Sequence, residues 1–234
     1  PTLSNTLDSP KAGVVLTIDS EIQKIAENAA KEHITKGAVV VMEPSTGRIL
    51  AMVSLPDYQP STVADCLDQE DGPLLNRALC NYNCGSAFKI VTAAAAIEAG
   101  IPLDTSYTCY GAVDVGGVTF HCHNRLGHGT LNMTEAFAES CNPYFIRLAQ
   151  QMGGQTLYNM AVALGFDRPV ILAEGWKTAR AVLPSETELL APAAVANLAF
   201  GQGALMATPV HIAQLVAAVV NDGDVSALAG TMSL

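Results

Sequence analysis

Ser86 and Lys89 stand three residues apart, after a long irregular stretch and at the head of an Ala-rich run from Ile90 to Ala99. Three residues is close to one helical turn, so in a helix both side chains leave the same face within reach of each other. A serine hydroxyl becomes a nucleophile when a neighbour takes its proton, and a lysine can take it when burial in apolar surroundings favours the neutral amine. A helix start adds backbone N–H donors and the positive end of the dipole where an acyl oxyanion would form. Alone, the pair says little, because a Ser-x-x-Lys match arises by chance about once in a chain of this length. Position singles this one out: it is the only match in the sequence, and it falls where an irregular loop feeds a helix apolar on nearly every face.

Ser140-Cys141-Asn142, followed by Pro143, is the second candidate group. On a connection between helices, the hydroxyl and the amide can point into one cleft, the first relaying a proton and the second gripping a substrate carbonyl. Both residue types are also common helix caps, and that reading stays open.

The elements that must position these groups follow from patterning. Val14 to Ile18 reads as a strand, and Asp19 can cap an amphipathic helix running to about His33, with Ile22, Ile25, Ala26, Ala29 and Ala30 at helical spacing. Ala38 to Met42 and Ile49 to Val53 form a hairpin across Glu43-Pro44-Ser45-Thr46-Gly47-Arg48. Residues 54–84 are irregular, residues 105–124 predict a second hairpin with Gly116-Gly117 near its tip, and helices follow at about 134–139, 143–152, 154–164 and 208–221. The 234 residues are half apolar and 15% charged, which excludes a disordered chain. Twelve Lys and Arg against 22 Asp and Glu leave a net charge of -10, the wrong sign for a nucleic-acid face. The longest apolar stretches, Ile90–Ile97 with Thr92 inside it and Leu215–Val220, fall short of the ~18 to 20 residues of a membrane span. Residues 1–12 are polar and turn-rich, as a leading tail or linker would be, and residues 13–234 are expected to form one domain.

The two Ser motifs, some fifty residues apart, resemble the penicillin-binding protein transpeptidase domain. Residues 37–54 are similar to that family's first hairpin, and Asn76-Arg77-Ala78, His128-Gly129, Gly201-Gln202-Gly203 and Thr208-Pro209 match in the right order. The likeness is greatest to the monofunctional class B members. It implies an α+β fold, an antiparallel sheet flanked by helices with the nucleophile helix between layers. It also implies peptidoglycan D,D-transpeptidation outside the cytoplasmic membrane, by a protein anchored through a segment beyond this sequence. Ser86 would attack the bond between the terminal D-alanines of a stem peptide, with Lys89 as base, Ser140 as proton shuttle and Asn142 holding the substrate amide. β-Lactams would acylate Ser86, and a cell-wall synthesis complex is the implied partner.

Two departures stand out. Cys84-Gly85-Ser86-Ala87-Phe88-Lys89 replaces the family's Pro-Gly-Ser-Thr-Phe-Lys, and the family's Lys-Ser/Thr-Gly element is absent, since Lys177-Thr178 is followed by Ala179. The expectation is therefore a sheet short of its last strands, with residues 224–234 matching nothing recognised. Two other functions remain as alternatives, a non-catalytic relative that binds cell-wall peptide or division partners, and a β-lactamase or β-lactam sensor. The chemistry itself calls for no cofactor.

Six cysteines are many for a chain this size. Cys122, His128 and Cys141 can hold a structural zinc that braces the loop carrying Ser140 and Asn142, with Cys109, His121 or His123 as a fourth ligand. Outside the cytoplasm a Cys109–Cys122 disulfide is the competing reading, and buried thiols the third. His33 and His211 read as surface or helix-face residues.

Overall fold

The computed structural model describes residues 15–223 and Met232–Ser233; the expected tail over residues 1–12 and most of 224–234 lie outside the described residues. In chain order come β1 (Val15–Leu16), α1 (Ser20–His33), β2 (Gly37–Met42), β3 (Ile49–Leu55) and α2 (Lys89–Glu98). Four short strands follow, β4 (Tyr107–Cys109), β5 (Ala112–Val115), β6 (Val118–His121) and β7 (Gly129–Leu131), then α3 (Met133–Ala138), α4 (Asn142–Met152) and α5 (Gly154–Ala163). The remainder is β8 (Ile171–Ala173), β9 (Trp176–Lys177), α6 (Pro192–Ala199), α7 (Pro209–Val220) and β10 (Met232–Ser233).

These elements fall into two compact units. The first takes in the chain through Cys80, residues 170–178 and the segment from Ala213 onward. Within it α1 starts where the sequence places it, because the Asp19 carboxylate accepts the backbone N–H groups of Glu21 and Ile22 at 3.0 Å each. The helix lays Ala30 against Val53 and Leu55 of β3. Gln23 reinforces the contact by pairing its side-chain amide with both backbone groups of Met52, at 2.9 and 3.1 Å. The hairpin β2–β3 carries a bulge at Val41/Met42, and alternate residues of β3 are buried. The long irregular stretch is organised around Arg77, a buried side chain whose guanidinium donates to the carbonyls of Asp71, Gly72 and Leu75. Arg77 N–H in turn donates to Ser54 Oγ at 3.0 Å, tying the loop to β3.

The second unit, residues 81–169 and 179–212, contains every residue of the expected catalytic group. Its core gathers Ala96 of α2, Ala136 of α3, Tyr144, Phe145 and Leu148 of α4, and the thiols of Cys109, Cys122 and Cys141. Phe88 packs edge-on against Phe166, ring centroids 5.3 Å apart. Thr92 on α2 donates its hydroxyl to the Ala199 carbonyl at the end of α6, at 2.9 Å.

The α+β class holds, helices with purely antiparallel pairing, and among the described residues the strands form five two-stranded pairs, β1–β10, β2–β3, β4–β7, β5–β6 and β8–β9. One expectation is corrected. The second hairpin is shorter than 105–124: β5 and β6 pair across Gly116-Gly117, while β4 turns away to pair with β7, Cys109 opposite Gly129. Gly111 and Gly127 permit that path, since a Cβ on either would lie 2.1 Å from Arg125 O or 2.2 Å from Cys109 O.

Candidate active site

The nucleophile turn is built by backbone pairing on both sides of it. Tyr82 and Ala207 exchange N–H···O bonds of 2.9 Å, and Gly85 N–H donates to the Gly201 carbonyl at 2.9 Å. Gly85 and Gly201 both have positive φ, +57° and +79°. They approach so closely that a Cβ on Gly201 would lie 1.9 Å from Gly85 O. Ser86 then falls in a 3₁₀ turn, Gly85–Phe88, that runs directly into α2. Ser86 is exposed, whereas Lys89 at the first position of α2 is 2% exposed.

Ser140 closes the site from the other side. Its φ is +48°, a left-handed conformation that non-glycine residues adopt at a cost of about 1 to 2 kcal/mol. The bend lets α3 end and α4 begin within three residues, with Cys141 N–H returning to Ala136 O at 2.9 Å. Asn142 opens α4, and its Nδ2 donates to the His121 carbonyl at 3.1 Å, which turns Oδ1 inward.

All four expected residues meet at one atom. Lys89 Nζ lies 3.1 Å from Ser86 Oγ, 2.9 Å from Ser140 Oγ, 2.6 Å from the Ser140 carbonyl and 2.7 Å from Asn142 Oδ1. The carbonyl and the amide oxygen can only accept, so a neutral amine gives both its protons to them and leaves its one lone pair to accept from one of the two hydroxyls at a time. Burial favours that neutral form: it pushes the Lys89 pKa down to about 8, against the opposing pull of Cys141 and Cys122. The cap reading of Ser140 gives way here, because the hydroxyl faces Lys89 and α4 has no side-chain cap.

Beside this group, Cys109 Sγ, Cys122 Sγ, Cys141 Sγ and a His128 ring nitrogen all lie within 4.8 Å of one another. Cys109 is the fourth member of the group. His121 and His123 stand outside the group, both exposed, with His123 Nδ1 3.9 Å from Cys122 Sγ. Cys109 and Cys122 are not bonded to each other, and all six cysteines are thiols. Burial raises the Cys141 thiol pKa. Cys109 is the reverse case: burial pushes its pKa up, but hydrogen bonds from the backbone of Gly111 and His128 and from the Cys141 and Cys122 thiols bring it below the usual value.

Of the two readings of His211, surface or helix face, the surface one fails: the residue lies on α7 and is buried. It is 2% exposed, with Nε2 2.8 Å from the Arg168 carbonyl and Nδ1 2.7 Å from Thr208 Oγ1. The carbonyl needs a donor, so Nε2 carries the proton and Nδ1 accepts from Thr208. Thr208 adjoins Ala207, the bridge partner of Tyr82, so this buried pair lies next to the segment that pairs with the turn leading to Ser86. The i, i+3 spacing of Thr208 and His211 at a helix start was the available signal. Lys177-Thr178 serves structure: Thr178 accepts the Val170 N–H at 2.9 Å next to the β8–β9 pair.

A serine hydroxyl beside a buried amine, with a second serine and an amide on the same nitrogen, is an arrangement suited to serine acyl transfer. The model of the penicillin binding protein transpeptidase domain matches residues 37–232, and the chain belongs to that family. Among curated relatives it is 35% identical to peptidoglycan D,D-transpeptidase PbpA of Mycolicibacterium smegmatis, over 92% of this chain and 47% of that protein. The ceftriaxone acyl-enzyme complex of penicillin-binding protein A from M. tuberculosis superposes with a TM-score of 0.83 at 31% identity, covering 90% of this chain and 51% of the other. A structure on the coordination of polymerization and crosslinking by a peptidoglycan synthase complex gives a TM-score of 0.84 at 29% identity, over 94% of this chain and 44% of that one. The chain thus spans about half the length of the PbpA relatives, 47% of each.

Proposed function

We propose that this chain carries the acyl-transfer site of a peptidoglycan D,D-transpeptidase, within a domain that takes in residues 13–234. Ser86 adds to the carbonyl between the terminal D-alanines of a stem peptide while Lys89 accepts its proton. Ser140 passes that proton to the departing D-alanine nitrogen, and the second Nδ2 proton of Asn142 is free to bind the substrate amide. An amine of a neighbouring stem then attacks the ester, giving back the Ser86 hydroxyl and leaving the cross-link. β-Lactams acylate the same oxygen. The observation that carries this reading is Lys89 Nζ, buried and within 3.1 Å of Ser86, Ser140 and Asn142 together.

The natural setting is the outer face of the bacterial cytoplasmic membrane, in a cell-wall synthesis complex, a role supported by the likeness to a synthase-complex structure. Among the described residues no helix is long and apolar enough to cross a membrane. Intact mass after incubation with penicillin tests the chemistry: an adduct on the chain and none on Ser86→Ala is expected. A longer chain that adds a Lys-Ser/Thr-Gly segment and still takes no label would leave a peptide-binding relative. Rapid turnover of a chromogenic cephalosporin would favour a β-lactamase.

The chemistry of the family needs no cofactor, and a zinc ion here has a structural part. We propose that Cys109, Cys122, His128 and Cys141 hold it. Three thiols and an imidazole match the donors of a structural zinc site, and bonds of about 2.3 Å to sulfur place tetrahedral ligands well inside the 4.8 Å limit seen. The ion would brace the turn carrying Ser140 and Asn142. Less than a tenth of an equivalent of zinc after purification without chelator would dispose of it.

A further inference from the structure

Ser140 is bracketed by Glu139 and Cys141, and both neighbours reach the same cluster by different routes. Cys141 does so directly, through its sulfur. Glu139 does so through His128. The imidazole of His128, its side chain only 6% exposed, has Nδ1 3.6 Å from Cys122 Sγ and Nε2 3.8 Å from Glu139 Oε2. One nitrogen therefore faces the thiols and the other faces a carboxylate. An imidazole that binds a metal through one nitrogen carries a proton on the other, and that N–H needs an acceptor to fix the ring's tautomer and orientation.

We propose that Glu139 is a positioning residue that accepts the Nε2–H of His128 while His128 holds the metal through Nδ1, so that one ion ties down both ends of the tripeptide Glu139-Ser140-Cys141. The inference rests on the zinc reading above. It accounts for how Ser140 keeps a left-handed φ of +48° while its hydroxyl and carbonyl both meet Lys89 Nζ, at 2.9 and 2.6 Å. The Asn142 bond to His121 O secures the turn after Ser140, and closure through Cys141, the ion, His128 and Glu139 would secure it before Ser140 as well. The ordinary alternative is an exposed carboxylate beside a histidine, of little consequence, since the Glu139 side chain is 57% exposed.

The test compares the full chain with Glu139→Ala, Glu139→Gln and, as a control for general loss of negative charge, Glu186→Ala at an exposed position elsewhere. Zinc affinity is measured by competition with a chromophoric chelator, and cobalt(II) is substituted to read the coordination sphere from its visible absorption. Glu139→Ala is expected to weaken zinc binding about 10- to 100-fold and to alter the cobalt spectrum. Glu139→Gln, still an acceptor, should recover most of the affinity, and Glu186→Ala should match the parent. Zinc affinity and cobalt spectrum unchanged in Glu139→Ala would overturn the role of Glu139 while leaving the zinc site standing. A parent chain that takes up no zinc when zinc is supplied would remove both.

Discussion

In the proposed mechanism the pH dependence of Ser86 acylation follows from where Lys89 sits. An ordinary lysine at 10.5 would be neutral in only about 3 molecules in 10,000 at pH 7. Burial brings the pKa to about 8, which makes the neutral fraction roughly one in eleven at pH 7, one half at pH 8 and ten in eleven at pH 9. The second-order rate of acylation by a fluorescent penicillin should therefore rise about fivefold from pH 7 to 8, less than twofold more by pH 9, and then level off. Lys89→Arg, charged at every accessible pH, should lose the pH-dependent limb along with most of the rate. The assay needs only stopped-flow or timed quenching between pH 6 and 10, with the fold checked by circular dichroism at each end. A rate that is flat from pH 6.5 to 9, or that climbs only above pH 10, would refute the assignment of buried Lys89 as the base.

Three further outcomes are expected. Gly201→Ala puts a Cβ 1.9 Å from Gly85 O, one residue before the nucleophile, so the turn must shift; a displacement near 1 Å should cost on the order of 100-fold in acylation, measured with the same penicillin. Ser140→Gly and Ser140→Ala should both lose the proton relay, yet Ser140→Gly should unfold at higher denaturant, by about 1 kcal/mol, because glycine accepts a φ of +48° without strain and alanine does not. Burial holds the His211 pKa below 6.5 against the raising effect of the Arg168 carbonyl, so the unfolded chain binds the extra proton first and stability falls as pH drops below about 6.5. A melting-temperature difference between the parent and His211→Gln that stays constant from pH 8 to pH 5 would contradict that linkage.

Where the sequence was legible, the signal was local. Asp19 capping α1, the β-branched runs of the first hairpin and the Ser86/Lys89 spacing each depend on residues within a turn or two of one another, and each is found as expected. What was not legible depends on distant partners or on missing contrast. β4 pairs with β7 across twenty residues, in strands of three residues each, too short to show an alternation. α6 reads Pro-Ala-Ala-Val-Ala-Asn-Leu-Ala, with one polar side chain and hence no polar face to set a helical period. His211 lies on a helix apolar along most of its length, where nothing in the pattern says which side faces the core.

The same division explains how the site is made. Ser86 and Lys89 come together through one helical turn, and a sequence can specify that almost unaided. Ser140 and Asn142 reach Lys89 only because a strained turn is held in place, by Cys141 in the core on one side and by the Asn142 bond to His121 O on the other. Strain at one residue costs about 1 to 2 kcal/mol, comparable to a single net hydrogen bond. Two bonds from Lys89 to the Ser140 backbone and hydroxyl can offset that cost, but only while the amine stays buried and fixed. The burial that depresses the Lys89 pKa and the geometry that presents Ser140 are thus one arrangement, and a change that lets water reach Lys89 should raise its pKa and loosen the turn together.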